Sequence, residues 1–253
     1  MIKKIKILIV TMFLTAFGGI TYADFNDGWV ASKEGDYKTA FNEWKPLAEQ
    51  GYAGAQLNLG VMYANGKGVL KDDKQATKWY QKAADQGNAS AQYNLGVRYE
   101  NGKGVLKDDK QAVKWYQKAA DQGDASAQYN LGWMYDTGTG VLKDEKEAAK
   151  WYQKAADQGN ASAQYNLGVM YGNGRGVLKD DKQTVKWYQK AADQGYAKAQ
   201  FNLGVMYAYG EGVLKDLSKA KYWIKKAYEN PDVSASLLGL AEKAWNQLEL
   251  WKY

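Results

Sequence analysis

The 253-residue sequence contains no cysteine and no histidine, and only two prolines, Pro46 and Pro231. Each absence removes a class of chemistry. Without thiols or imidazoles there are no disulfides, no Cys/His zinc sites, no Ser-His-Asp or Cys-His nucleophilic machinery and no histidine pH switch. With so little proline, helices can run uninterrupted. An excess of one charge is also lacking. Half of the formal +6 comes from Lys3, Lys4 and Lys6, so a chain beginning at Asp24 carries +3. The other lysines alternate with acids, as in Leu106-Lys-Asp-Asp-Lys110. Such a mixed surface offers phosphates no basic stripe and argues against nucleic acid as a partner. Aromatic residues, in contrast, are abundant. Ten Trp and twenty Tyr in a chain that is 45% hydrophobic argue for a folded protein.

The N-terminus reads as an export signal. Lys3, Lys4 and Lys6 precede an apolar stretch from Ile7 to Ile20, and Thr21-Tyr22-Ala23 sets small residues at the −3 and −1 positions. A membrane-spanning helix needs about 20 apolar residues, and this stretch has fourteen. The pattern predicts a signal peptide over 1–23, cleaved after Ala23, and a periplasmic or secreted mature protein without a membrane span. No Cys follows the stretch, which excludes a lipoprotein anchor.

The rest of the chain is repetitive. Leu-Gly pairs begin at Leu59, Leu95, Leu131, Leu167 and Leu203, always 36 residues apart. A fixed period of this length marks a solenoid or a propeller, and the spacing inside the unit decides between them. Ala91, Leu95 and Tyr99 stand at i, i+4 and i+8; Ala112, Trp115, Tyr116, Ala119 and Ala120 follow a helical stripe as well. Each unit is therefore two helices. Asp108 is suited to cap the second, with Gln111 as capping-box partner, and the pairing recurs at Asp72/Gln75, Asp144/Glu147 and Asp180/Gln183. Gly102 and Gly104 permit positive φ in the joining loop, and Gly123 does so after the second helix. A Gly-x-Gly pair can also cradle phosphate, but this one lacks the strand-to-helix context and repeats in every unit. The predicted organisation is a shortened helix-pair cap over 24–51, five repeats over 52–87, 88–123, 124–159, 160–195 and 196–230, and a capping segment over 231–253. In that last segment a helix from Val233 to about Trp251 is expected to seal the stack with Leu237, Leu238, Leu240, Trp245 and Leu248.

The unit ASAQYNLGVRYENGKGVLKDDKQAVKWYQKAADQG resembles the Sel-one-like repeat, a relative of the tetratricopeptide repeat with a longer internal loop. The resemblance covers Tyr52 to about Tyr228 closely. It implies an all-α, right-handed α/α superhelical solenoid with atypical terminal caps. It also implies an adaptor or scaffold role without shared catalytic residues. Cysteine-rich relatives were proposed to bind or cleave penicillins; this chain lacks their cysteines, which disfavours β-lactam binding or hydrolysis.

In stacks of this kind the first helix of each pair lines a concave groove. Matched on the Leu-Gly core, the groove register two before each Leu reads Leu57, Tyr93, Tyr129, Tyr165 and Phe201; two after, Val61, Val97, Trp133, Val169 and Val205. Five after gives Ala64, Glu100, Asp136, Gly172 and Ala208; six after gives Asn65, Asn101, Thr137, Asn173 and Tyr209. Trp133 among valines, beside Glu100 and Asp136, makes the second and third repeats the most distinctive stretch and suggests a basic partner segment. At the groove edge Asn58, Asn94, Asn130, Asn166 and Asn202 form an amide ladder that could bond a peptide backbone. Both ladders also have a purely structural reading, as packing and hydrogen bonding between neighbouring helices.

The expected function is an exported, non-enzymatic scaffold that binds a protein or peptide partner in the bacterial envelope. Alternatives are cell-wall glycan stacking on the aromatics and an immunity-like role against an exported effector. Catalysis has little to stand on. There is no Ser-x-x-Lys, the repeated acids are explained as caps, and Glu100 and Asp136 are the one pair that could be written as glycosidase carboxylates. No cofactor and no metal are expected.

Overall fold

The structure, a computed structural model, describes residues 24–252. The predicted leader and its cleavage point lie outside the described residues. Thirteen α-helices are described, with no strand among them. The shortened first pair is α1 (Phe25–Glu34) and α2 (Tyr37–Glu49). Five pairs follow: α3 (Ala53–Asn65) with α4 (Asp73–Asp85), α5 (Ala89–Asn101) with α6 (Asp109–Asp121), α7 (Ala125–Thr137) with α8 (Glu145–Asp157), α9 (Ala161–Asn173) with α10 (Asp181–Asp193), and α11 (Ala197–Tyr209) with α12 (Leu217–Tyr228). The stack closes with α13 (Ala235–Gln247) and a short 3-10 turn at Leu250–Lys252.

Local chemistry sets the helix limits. The Asp108 carboxylate accepts from the Gln111 backbone N–H at 3.0 Å, satisfying one of the orphan donors of the first turn. Asp72, Asp144, Asp180 and Asp216 do the same on their own helices. The reciprocal half of the expected capping box is replaced by something else. The Asp108 N–H donates to the Tyr99 carbonyl at 2.9 Å, so one bond satisfies an N-cap donor and an orphan carbonyl of the preceding helix. Gly102 (φ 65°) ends α5 in the left-handed region and Gly104 (φ 76°) follows. A side chain at Gly104 would meet the Asp73 carbonyl oxygen of the previous repeat at 2.0 Å. This loop glycine therefore sets how closely one repeat sits on the next.

The Leu-Gly core has a mechanical meaning. Leu95, Leu131 and Leu203 are fully buried, each contributing about 1.5–3 kcal/mol by burial. In the first four repeats the glycine beside this leucine gives the aromatic ring of the second helix a flat seat; in the fifth, Gly204 lies against Ile224 instead. A Cβ on Gly96 would lie 2.6 Å from the Tyr116 ring, and Gly60, Gly132 and Gly168 stand likewise under Tyr80, Tyr152 and Tyr188. The tryptophan one residue earlier joins repeats. Trp151 packs with Ala112, Tyr116 and Leu131 of the preceding helices, and Lys154 lies over its ring at 3.8 Å.

A buried polar ladder runs through this core. Gln92 donates to the Ala84 carbonyl at 3.1 Å and accepts from Gln122 at 2.7 Å. The pattern repeats at Gln56, Gln128, Gln164 and Gln200, where Asn230 replaces the second glutamine. Buried amides cost several kcal/mol when unpaired, so this ladder disfavours any slip that is not a whole 36-residue block.

The C-terminal cap departs from the expectation of one long helix. It breaks at Glu249, which has a positive φ of 48°. The chain then turns back and Leu250 becomes fully buried with Ile224 and Ala241. Leu237 is buried as expected, whereas Leu240, expected to seal the stack, is 52% exposed.

Candidate functional site

The face expected to bind a partner runs along α3, α5, α7, α9 and α11. Its aromatic ladder is half-buried. Tyr93 packs on Tyr116 with ring centroids 5.8 Å apart, Tyr129 on Tyr152 at 5.8 Å, and Tyr165 on Tyr188 at 5.6 Å. These rings therefore join the two helices of a repeat and are only partly open on the face. The asparagines lie against them. Asn130 faces the hydroxyls of Tyr93 and Tyr116, Asn166 those of Tyr129 and Tyr152, and Asn202 those of Tyr165 and Tyr188. Burial raises the pKa of all six phenols, and the amides oppose that shift. For Tyr188 the value is pushed up to about 12. Asn58, which follows Leu57 where later repeats have an aromatic ring, has a buried Nδ2 without a partner, and Asn94 is half-buried.

The two acids are engaged within the chain. Glu100 accepts from the Tyr116 hydroxyl at 2.6 Å. Asp136 pairs with Arg175 of the next repeat, which also reaches Glu145 at 3.1 Å. Lys143 and then Arg175 hold the Glu145 carboxyl below the usual carboxylate range. Asp136 is therefore already paired with a cation of this chain, whereas the partner of Glu100 is a neutral hydroxyl on one of its two oxygens. Arg175 sits in the loop, a part of the repeat that the sequence-based groove register does not cover. Arg98 is a second unexpected group. It occupies the buried position where other repeats have Met, bonds Asp73 at 2.6 Å and lies over the Tyr80 ring. Asn101 donates to the Val97 carbonyl at 2.9 Å, so its amide N–H ends its own helix. Trp133, at 37% exposure, and Tyr209, at 61%, are the open aromatics of the register.

A concavity appears further along the same face. A cleft of about 360 Å³ opens across the fourth and fifth repeats. Val169, Tyr188, Phe201 and Val205 are among its walls, Asn173 and Asn202 offer amide groups, and Lys179, Asp181 and Glu211 stand at its edge. Gly172 accounts for its position. The same register holds Glu100 and Asp136 in the second and third repeats, where carboxylates lie over Tyr116 and beside Tyr152. Gly172 contributes no side chain, and the space stays open. Trp133, Glu100 and Asp136 do not line this cleft; Phe201 does. A second cleft, of about 690 Å³, lies at the end of the stack between α12, α13 and the 3-10 turn, away from the repeat face. Among the described residues no Asp/Glu cluster could hold a metal ion, and no helix is long and apolar enough to cross a membrane.

The Sel1 repeat family model matches residues 53–88, 89–124, 125–160, 161–196 and 197–232. The chain belongs to the Sel1 repeat family. Its solenoid is similar to the crystal structure of a Sel1 repeat protein from Oxalobacter formigenes, with 36% identity, 88% of each chain covered and a TM-score of 0.80. It is also similar to c5321, a protective antigen present in uropathogenic Escherichia coli strains, with 37% identity and a TM-score of 0.82. That match covers 88% of this chain and 48% of the antigen, so this chain corresponds to about half of it. No curated protein matches the chain. Sel1 repeat solenoids commonly mediate protein–protein interaction and are generally non-enzymatic scaffolds.

Proposed function

We propose that this Sel1 repeat protein is an exported scaffold that binds an extended segment of a protein partner along the α3–α11 face. The observation that carries the reading is the cleft left open by Gly172. Val169, Phe201 and Val205 in its wall offer contact to one apolar side chain, while most of the exposed lining is polar and suits the backbone of the same segment. The Asn173 N–H is held by the Val169 carbonyl, which leaves its amide oxygen as the acceptor there. Trp133, four helices away in chain order from the far wall of the cleft, is a second contact on the same face. Export is the reading of the N-terminal residues Lys3 to Ala23 and places the partner in the bacterial envelope.

The test is retention of envelope proteins by the immobilised chain, compared with Gly172→Glu and Trp133→Ala. The same register holds glutamate in the second repeat, so Gly172→Glu fills the cleft without a new backbone demand. Its Cβ closes to 3.3 Å on the Thr184 side chain, where the second repeat has Ala112, and circular dichroism checks that it folds. The expected outcome is at least a tenfold loss of a retained partner, about 1.4 kcal/mol, in folded Gly172→Glu. Unchanged retention in that variant would remove the cleft from the reading. Glycan is the second reading, favoured by the exposed Trp133 ring. It requires binding to peptidoglycan sacculi that Trp133→Ala abolishes and Gly172→Glu leaves intact.

A further inference from the structure

Among the described residues, the most exposed apolar side chains stand in one register. Leu70 and Leu106 are 91% exposed, and Leu142, Leu178 and Leu214 are 90% exposed. Each follows a half-buried valine, such as Val105, in the loop between the two helices of a repeat. Neither the helix limits nor the core requires these leucines. Five nearly bare leucines in identical positions form a regular row along the loop edge, apart from the α3–α11 face. Helices pack about 8–10 Å apart, so four repeat steps give a row of about 40 Å.

The chemistry around the row selects among occupants. The five loop segments, 66–74 and its equivalents, hold twelve basic and ten acidic side chains. Beside three leucines the lysine is turned onto an acid two residues on: Lys107 to Asp109 at 3.5 Å, Lys143 to Glu145 at 3.1 Å and Lys179 to Asp181 at 3.9 Å. An edge so nearly balanced is not built for an anionic bilayer, which attracts polybasic segments. Its own spacing, and its own mixture of charges, are what it matches. The ends also differ in sign. The first loop carries Lys67, Lys71 and Lys74 against Asp72 and Asp73; the fifth carries Lys215 against Glu211 and Asp216. An antiparallel pair sets the first loop of one copy against the fifth of the other, opposite in net charge, and the second against the fourth, both net +1, whereas a parallel pair sets like against like at all four of these levels.

We infer that the leucine row is a self-association edge on which two copies of this chain pair antiparallel about a twofold axis through the third repeat. Leu142 meets its own copy at the axis, and Leu70 meets Leu214 of the other copy, as an isologous interface demands.

Sedimentation velocity of the purified chain is expected to show a concentration-dependent dimer. Leu142→Arg, which changes a side chain that touches nothing in the monomer, is expected to raise the dimer Kd at least tenfold with an unchanged helical spectrum. Because the chain has no cysteine, introduced ones report geometry directly. Under mild oxidation Leu142→Cys is expected to give a covalent dimer. Leu70→Cys alone gives none, and Leu70→Cys mixed with Leu214→Cys gives one. A parent that stays monomeric at every concentration overturns the inference, as does a dimer indifferent to Leu142→Arg. Self-linking of Leu70→Cys as efficient as that of Leu142→Cys overturns the antiparallel arrangement. A monomer that sediments with phosphatidylglycerol vesicles, and ceases to do so as Leu142→Arg, makes a bilayer the occupant instead.

Discussion

The Tyr116 hydroxyl donates to Glu100 at 2.6 Å, while the equivalent hydroxyl of Tyr152 is buried and faces Asn166 without closing a hydrogen bond. One residue of the first helix decides the difference, since Asp136 is a carbon shorter than Glu100 and is held by Arg175. Removing a hydrogen bond to a charged group costs about 1.5–3 kcal/mol, whereas removing an unpaired buried hydroxyl is close to neutral. Tyr116→Phe is therefore expected to destabilise the protein by about that amount and Tyr152→Phe by less than about 0.5 kcal/mol, read from urea unfolding midpoints. Equal shifts for the two variants would show that the Glu100 contact does not form in solution.

Two glycines on helices should respond in opposite directions to the same substitution. Gly96→Ala pushes a methyl into the Tyr116 ring, 2.6 Å away, and overpacking of this kind costs about 1–3 kcal/mol. Gly239, inside α13, has nothing within 4 Å of an added Cβ. There the alanine mainly reduces the freedom of the unfolded chain and favours the helix, a gain of about 0.4–1 kcal/mol. Thermal unfolding of the two variants gives the signs directly. A stabilised Gly96→Ala would mean that the ring does not rest on the glycine.

The raised tyrosine pKa values set an alkaline limit. A buried phenol that keeps its proton in the folded state releases it more readily when unfolded, where the ordinary value is about 10. Above that pH the unfolded state binds fewer protons, so stability falls as pH rises. For Tyr188 the loss runs from the ordinary value up to about 12. Tyr80, Tyr116 and Tyr152 are shifted in the same direction by burial. Denaturant midpoints are expected to show no tyrosine-linked fall below pH 10 and a decline above it, with Tyr188→Phe flattening part of the decline. A chain whose tyrosines all ionise near 10 without loss of helix would contradict this account.

The repeat, its two helices and its caps were legible because short-range rules determine them. Leu-Gly spacing, an aspartate before each second helix and glycines at positive φ all act within a few residues. The glutamine ladder was not legible, because Gln92 and Gln122 are thirty residues apart and nothing local distinguishes a buried amide from a solvated one. Arg98 and Arg175 were missed for a related reason. Each occurs in one repeat, at a position elsewhere filled by Met or by another loop residue, and its acid lies on the adjacent repeat. The groove register did include Gly172 and Phe201, but an open cleft follows from a side chain that is absent. The most distinctive residues, Trp133, Glu100 and Asp136, lie outside that cleft. The broken C-terminal cap depends on the left-handed turn at Glu249, which its residue type does not announce.

The inter-repeat hydrogen bonds are translationally uniform, and that uniformity bears on copy number. Gln122 would find the same acceptor on whichever repeat preceded it, and Asp108 would cap its helix on any Tyr carbonyl of that kind. Loss or gain of one 36-residue block would leave a sound stack. During folding, strand-like slippage of whole blocks would meet little resistance from these bonds. Arg98 with Asp73, and Arg175 with Asp136 and Glu145, are contacts of a different sort. They belong to one junction each and act as address labels, marking which block follows which in an otherwise interchangeable series.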